Sequence, residues 1–246
     1  MEAKQKNAII IGASSGIGEA LTREFHAAGW TLGILARRIE LLEDLAWNLG
    51  SEHITIGHID VTRADSVDRL RDMIDYLKGV DLIVLSSGVG FLNPAHDPIP
   101  DQETIEVNVV GFQRVALAAF QYFRRRGSGH LAAITSVASL RSNSAGAVYA
   151  ASKAFQSVYL DGLRDSAAQS GLPITITELQ PGFVDTAMMK TSAPLHPFVH
   201  RLLVSDPSTA ARQMHRAISR RRQHSYITRR YGLIAFLMRL LPRPGN

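Results

Sequence analysis

The sequence predicts an α/β protein, a doubly wound parallel sheet of about seven strands in a three-layer sandwich built as a single domain over residues 1–246. Three observations predict it. Short apolar runs alternate with longer amphipathic stretches along the chain, the pattern of strands buried on both faces with helices packed over them. The first apolar run breaks into glycines at 12, 16 and 18, which open a helical stretch. A chain of 246 residues, 46% hydrophobic and free of long low-complexity segments, is also large enough for one full core.

Predicted strands cover 7–12, 31–36, 53–59, 81–86, 130–136, 174–180 and 225–228, and predicted helices 16–28, 39–49, 63–78, 101–125, 148–170 and 207–221. Strands are assigned to the short apolar runs and helices to the longer amphipathic stretches. After the first strand, Asn7-Ala8-Ile9-Ile10-Ile11, the segment Gly12-Ala13-Ser14-Ser15-Gly16-Ile17-Gly18 turns into the first helix. Glycines at such a junction let the backbone turn tightly and approach a diphosphate, seated against the unpaired amides of the helix N-terminus. The spacing is Gly-x-x-x-Gly-x-Gly, which differs from the common dinucleotide fingerprint. The second strand ends in Ala36-Arg37-Arg38, the fifth at Ser136, and the sixth in Pro181-Gly182-Phe183-Val184-Asp185-Thr186. These motifs fall at the carboxyl ends of strands, where a doubly wound sheet places its cleft.

Tyr149 and Lys153 stand four residues apart on the helix that follows Ser136. That spacing sets both side chains on one helical face and lets them meet one substrate. A phenol titrates near ~10 and is a reluctant acid or base at neutral pH, unless a nearby positive charge favours the phenolate. Lys153 is expected to supply that charge. Ser136 is placed to hydrogen-bond a substrate oxygen and hold it for transfer. A Tyr and Lys at this spacing are often a mere surface pair, so the reading depends on the other motifs accompanying them.

Together these motifs resemble the short-chain dehydrogenase/reductase family over about residues 7 to 228. The resemblance implies a Rossmann-type fold in which the turn of Gly12, Ser14, Ser15, Gly16, Ile17 and Gly18 holds the cofactor diphosphate and Asp60-Val61 contacts the adenine. It implies a catalytic set of Asn108, Ser136, Tyr149 and Lys153, with Asn108 positioning a water in the proton relay to the lysine. Gly88 also belongs to the cofactor site, and Pro181, Gly182, Val184 and Thr186 to the segment that holds the nicotinamide carboxamide; Tyr149 and Lys153 border the cofactor as well. Homodimers or homotetramers are implied in addition. The chain departs from the family pattern at Leu85-Ser86-Ser87-Gly88, where the family has Asn-Asn-Ala-Gly. Two amides that brace the sheet centre are thus replaced by Leu85 and Ser86, which is expected to affect stability or cofactor affinity more than chemistry.

Cofactor choice is read from the end of the second strand. A carboxylate there would repel a 2′-phosphate, whereas this chain has Ala36 followed by Arg37. Guanidinium matches phosphate oxygens, so NADP(H) is expected to be preferred over NAD(H). The resulting expectation is an oxidoreductase that interconverts a ketone or aldehyde with an alcohol. The alternative is a non-catalytic dinucleotide-binding sensor, which would have no chemical need for the full set Asn108, Ser136, Tyr149 and Lys153.

Residues 187–205 are expected to form a substrate loop, with Met188, Met189, Leu195 and Phe198 as candidate walls for a hydrophobic small molecule. His196 and His200 have ligand-like spacing but no third ligand, so no metal is expected. Cysteine is absent, which excludes disulfides and thiolate metal sites. No apolar targeting region precedes the first strand, so the expected location is cytoplasmic. Residues 201–246 carry ten Arg, no Lys and one acidic residue, Asp206. Within them the basic and apolar tail 229–246 has three readings: packing on the protein's own surface or on another subunit, peripheral contact with an anionic membrane, or nucleic-acid binding, the last without a recognition module. The apolar run from Tyr231 to Leu241 is too short to span a bilayer.

Overall fold

The computed structural model describes residues 5–142, 144–190 and 201–240. Seven strands, β1 (Asn7–Ile11), β2 (Thr31–Ala36), β3 (Ile54–His58), β4 (Leu82–Leu85), β5 (Gly129–Ile134), β6 (Ile174–Pro181) and β7 (His224–Ile227), form one sheet in the order β3-β2-β1-β4-β5-β6-β7. Every pairing is parallel. The helices are α1 (Gly16–Ala27), α2 (Ile39–Leu49), α3 (Ser66–Tyr76), α4 (Pro98–Ile105), α5 (Phe112–Arg126), α6 (Ala147–Ser170), α7 (Ala187–Lys190), α8 (Pro207–Ser219) and α9 (Arg229–Leu240).

The apolar run of β1 is unbroken because the sheet is covered on both faces. Ile9 and Ile11 join a core with Leu70 and Met73 of α3, Phe112 and Phe123 of α5 and Leu160 of α6. Ala8 and Ile10 join a second core with Leu21 and Phe25 of α1, Leu42 of α2 and Met214 and Ile218 of α8. Side chains alternate across a strand, so one run feeds both layers. The strand order reverses between β1 and β4, and the crevice this opens at their carboxyl ends is where the predicted motifs gather.

Capping residues set several helix limits. Asp97 and Asp206 accept from the amides of Ile99 and Thr209, each with proline at the first helical position. Gly127 and Gly171 close α5 and α6 in the left-handed conformation.

Three expectations need correction. The helix expected to begin at 63 starts at Ser66, because Arg63 and Ser66 amides close turns onto the carbonyls of Asp60 and Arg63. The helix expected over 101–125 is α4, a π-helical segment Glu106–Gly111, and α5. A π segment shifts the hydrogen-bond ladder and frees backbone groups. Its last residue packs tightly, since a Cβ on Gly111 would lie 2.9 Å from the carbonyl oxygen of Val61. Finally, the tail forms the helix α9, which was not among the elements expected from periodicity.

Helix α9 docks on the body of the protein. Tyr231 and Ala235 are buried, while Leu233, Phe236 and Leu237 are exposed. Arg230 donates to the carbonyls of Leu203 and Val204 and to the Ser205 hydroxyl, so one of the tail's arginines is used structurally. No described helix is long and apolar enough to cross a membrane.

Candidate active site

The glycine turn is shaped by close backbone approach. Gly12 has φ +90°, and a Cβ there would lie 2.6 Å from the Ser87 amide nitrogen; a Cβ on Gly18 would lie 2.1 Å from the Gly12 carbonyl oxygen. Glycine is therefore required at both places. The turn lies between β1 and the N-terminus of α1, with Ser14, Ser15, Gly16 and Ile17 lining it. Across the cleft, the Thr186 methyl would lie 3.1 Å from a Cβ on Gly16, so the segment after β6 faces the turn.

Of the two consecutive arginines, Arg38 is the one that reaches the turn. Its Nη2 donates to the hydroxyls of Ser14 and Ser15 at 3.0 and 2.9 Å. Arg37 is exposed and acts electrostatically on Asp60. Successive residues in extended backbone point to opposite sides, so one of the pair turns inward, and the sequence does not tell which. Burial pulls the Asp60 carboxyl up, but bonds from the hydroxyl and amide of Thr62, with Arg37 and His58 nearby, hold it below its usual range. Behind Val61, Arg114 of α5 donates to the carbonyls of Val61, Thr62 and Arg63 and so fixes this loop.

Asn108, Ser136, Tyr149 and Lys153 converge from three elements. Ser136 follows β5 and accepts from the Ala138 amide at 3.1 Å. Tyr149 lies in the first turn of α6 and interacts through its phenol with the Ser136 hydroxyl. The Lys153 Nζ stands 5.8 Å from the centre of the Tyr149 ring. The Asn108 side chain spans the loop after β4, accepting from the Val89 amide at 2.9 Å and donating to its carbonyl at 2.7 Å. Ser152 ties the group together, accepting from Asn108 Nδ2 at 3.1 Å and donating to the Tyr149 carbonyl at 2.7 Å. Gly88 borders the same group, because a Cβ there would lie 3.3 Å from Asn108 Oδ1 and 3.4 Å from Lys153 Nζ.

Electrostatics depart from expectation. Burial pushes the Tyr149 phenol above its ordinary value, and the Ser136 hydroxyl only partly opposes this. Burial also brings Lys153 down to about 8. In a low-dielectric cleft both charged forms are disfavoured, and here the ammonium is itself weakened before it lowers the phenol. The expected lowering of the Tyr149 pKa by Lys153 is therefore not a property of the protein alone.

The departure at Leu85-Ser86-Ser87-Gly88 is accommodated without amides. Leu85 is buried in the core beside Ile11 and Val107, and the Ser86 amide donates to the Ile11 carbonyl at 2.8 Å.

After β6, Pro181 and Gly182 lead to Val184, which is buried and bridged to Ser205. Gly182 leaves space that the Tyr231 ring fills, since a Cβ there would lie 1.9 Å from that ring. The Tyr231 hydroxyl accepts from the Phe183 amide at 3.1 Å and donates to the Leu203 carbonyl at 3.0 Å. Gly182→Ala should lower stability by about 1–3 kcal/mol through this overpacking, measured by thermal or urea unfolding. Met188 comes near the cleft mouth, where a Cβ on Gly90 would lie 3.3 Å from its sulfur and 2.9 Å from the Tyr149 ring. Leu195, His196, Phe198 and His200 lie outside the described residues. Sequence reasoning missed Gly90, Ser152, Gln156 and Tyr231; none carries a local signal, because each is defined by what a distant segment brings against it.

A family model described as short chain dehydrogenase matches residues 6–195. The chain belongs to the short-chain dehydrogenase family. An uncharacterised oxidoreductase of Staphylococcus aureus is 31% identical over 192 residues, 77% of this chain and 82% of that protein. One of Mycobacterium tuberculosis is 31% identical over 220 residues, 86% and 84% of the two chains. Among solved structures, an alcohol dehydrogenase from Thermococcus sibiricus complexed with 5-hydroxy-NADP is 27% identical, with a TM-score of 0.78 over 91% of this chain and 96% of that one. A short-chain dehydrogenase/reductase from Burkholderia phymatum in complex with NAD has a TM-score of 0.82 over 96% and 94%, at 21% identity, and shares the fold. This short-chain dehydrogenase/reductase is an oxidoreductase acting on CH–OH groups, in a family that uses NAD(H) or NADP(H). Its residues fit such a dinucleotide: the turn admits no side chain at Gly12 or Gly18, and it opens α1, whose first amides suit a diphosphate.

Proposed function

We propose that this short-chain dehydrogenase/reductase is an NADP(H)-dependent enzyme that interconverts a ketone or aldehyde with an alcohol, with Tyr149 as the general acid and base. The observation that carries the reading is the convergence of Ser136, Tyr149, Lys153 and Asn108 beside the glycine turn at the carboxyl edge of the sheet. When bound, the reduced dinucleotide supplies the hydride. Tyr149 protonates the substrate oxygen in the reductive direction, and Ser136 orients that oxygen through its hydroxyl. Lys153 holds the ribose side of the cofactor and favours the phenolate once the cleft is filled, while Asn108 fixes the loop that carries Gly88. Asp60 and Val61 border the adenine, and Pro181, Gly182, Val184 and Thr186 the nicotinamide.

Preference for the phosphorylated cofactor rests on Arg38 together with Ser14 and Ser15, and secondarily on exposed Arg37. Guanidinium and hydroxyl groups gathered at one point suit a 2′-phosphate. The NADP analogue named with the Thermococcus sibiricus enzyme is consistent with this. Arg38→Glu should raise the Kd for NADPH at least about ten-fold and leave that for NADH within a few-fold, as read by nicotinamide fluorescence titration. An unchanged ratio would remove Arg38 from the reading.

Met188 near the cleft favours a hydrophobic carbonyl substrate. A second copy would pack on the exposed side of α6, where Val158 is 70% exposed beside the stacked pair Phe155 and Tyr159. A sensor without chemistry is disfavoured by relatives named oxidoreductases. The reading is tested by NADPH oxidation, followed at the nicotinamide absorbance, against aliphatic, aromatic, steroid-like and acyl-chain carbonyls. Turnover of one class supports it, and tight NADPH binding with no turnover of any class overturns it.

A further inference from the structure

The Lys153 ammonium can only donate hydrogen bonds, and two of its donors are taken by the Ile134 carbonyl at 3.3 Å and by Gln156 Oε1 at 3.0 Å. The other end of the same amide, Gln156 Nε2, donates to the backbone carbonyl of Asn108 at 2.9 Å. Gln156 is completely buried and lies on α6, while Asn108 lies in the π-helical segment, 48 residues earlier in the chain. The amide has one orientation that serves both partners, since the ammonium needs an acceptor and the carbonyl a donor. We infer that Gln156 is a positioning residue, whose side-chain amide braces the Lys153 ammonium against the Asn108 carbonyl and leaves the remaining Lys153 donor for the cleft.

The inference rests on the reading of Lys153 as the cation of that cleft. The family resemblance implies a water positioned by Asn108 on the way to the lysine; here the Gln156 amide itself spans the lysine and the Asn108 carbonyl as a strut. An amide is not a proton carrier at neutral pH, so this contact aims the lysine and stabilises its charged form without passing a proton onward. The other groups facing Lys153 are the Tyr149 phenol on its own helix, the Ile134 carbonyl of β5, Asn108, and Gly88 of the loop after β4. Tyr149 is the ionisable one among these. Glu178 of β6, the buried carboxylate beside neighbouring Ser157, is engaged by Ser157, Thr135 and His224.

The test is an NMR titration of lysine-labelled, dinucleotide-free protein, with the Lys153 signal identified by its loss in Lys153→Met. Gln156→Leu should lower the Lys153 pKa by about one pH unit, because the ammonium loses an acceptor in a buried site; Gln156→Glu should raise it by about one unit or more. The basic limb of kcat/KM should move in the same two directions, with kcat at neutral pH about ten-fold lower in Gln156→Leu and KM for the carbonyl little changed. A residue that only packs would lower stability and move neither the titration nor the limb. An unmoved Lys153 pKa in the folded variants overturns the inference, and Gln156→Glu, which keeps the side chain's shape, carries the test should the leucine variant not fold. Because the titration needs no turnover, absence of carbonyl reduction would count against the proposed function and leave this measurement to decide the strut.

Discussion

Tyr149→Phe should lose carbonyl turnover by about three orders of magnitude while binding NADPH within a few-fold of the native protein. The substitution removes one oxygen. The ring keeps its place against Gly90, and the bond from Ser152 to the Tyr149 backbone carbonyl is unaffected, so the cleft stays assembled. What disappears is the acid that interacts with the Ser136 hydroxyl. Steady-state NADPH oxidation together with fluorescence titration of the dinucleotide separates the two quantities. Residual turnover near the native rate would assign proton transfer to another group and leave Tyr149 as a cleft wall.

The second large effect is on stability and comes from Lys153. Burial brings its pKa from 10.5 to about 8 in the folded protein. Below pH 8 the side chain is protonated in both the folded and unfolded states, and the folded state carries the full cost of the buried charge. As pH rises from about 8 to 10.5 the folded form loses its proton while the unfolded form retains it, so stability increases. The gain is on the order of 3 kcal/mol across that window. Lys153→Met has no such group. Unfolding of the two dinucleotide-free proteins along a pH series should therefore give a difference that moves in favour of the native protein by this amount as pH rises through the window. A difference independent of pH would mean that Lys153 titrates near its ordinary value. The native protein thus gives up stability at neutral pH to keep a cation in the cleft.

Much of this was legible in the sequence, for physical reasons that differ by element. The sheet was readable because strands buried on both faces are nearly continuous in apolar residues, as in Ile9, Ile10 and Ile11, and because a glycine turn can only be written with glycine where backbones touch, as at Gly12 and Gly18. The positions of Ser136, Tyr149 and Lys153 were readable because helical spacing and strand ends fix side-chain direction. Contacts between distant segments were not readable. Nothing local to Gln156 announces that its amide spans Lys153 and Asn108, or to Tyr231 that its ring fills the space beside Gly182. The choice between Arg37 and Arg38 depended on a backbone turn of one residue, and the need for glycine at 111 on a distant contact with Val61. The phenol's pKa was misjudged because helical spacing predicts neighbours and says nothing of the desolvation they share.

The seating of Tyr231 on Gly182 has a consequence for the order in which the enzyme is made. Its glycine turn and first three strands are on hand once the ribosome has passed residue 58, yet the segment proposed to hold the nicotinamide acquires its clasp only when a residue 173 positions later has emerged. The segment proposed to hold the nicotinamide is therefore the last part of the cleft to be completed in a nascent chain. A protease cut between β7 and Tyr231 would leave that clasp held by Arg230, Tyr231 and Ala235 alone, without its covalent tie to the sheet.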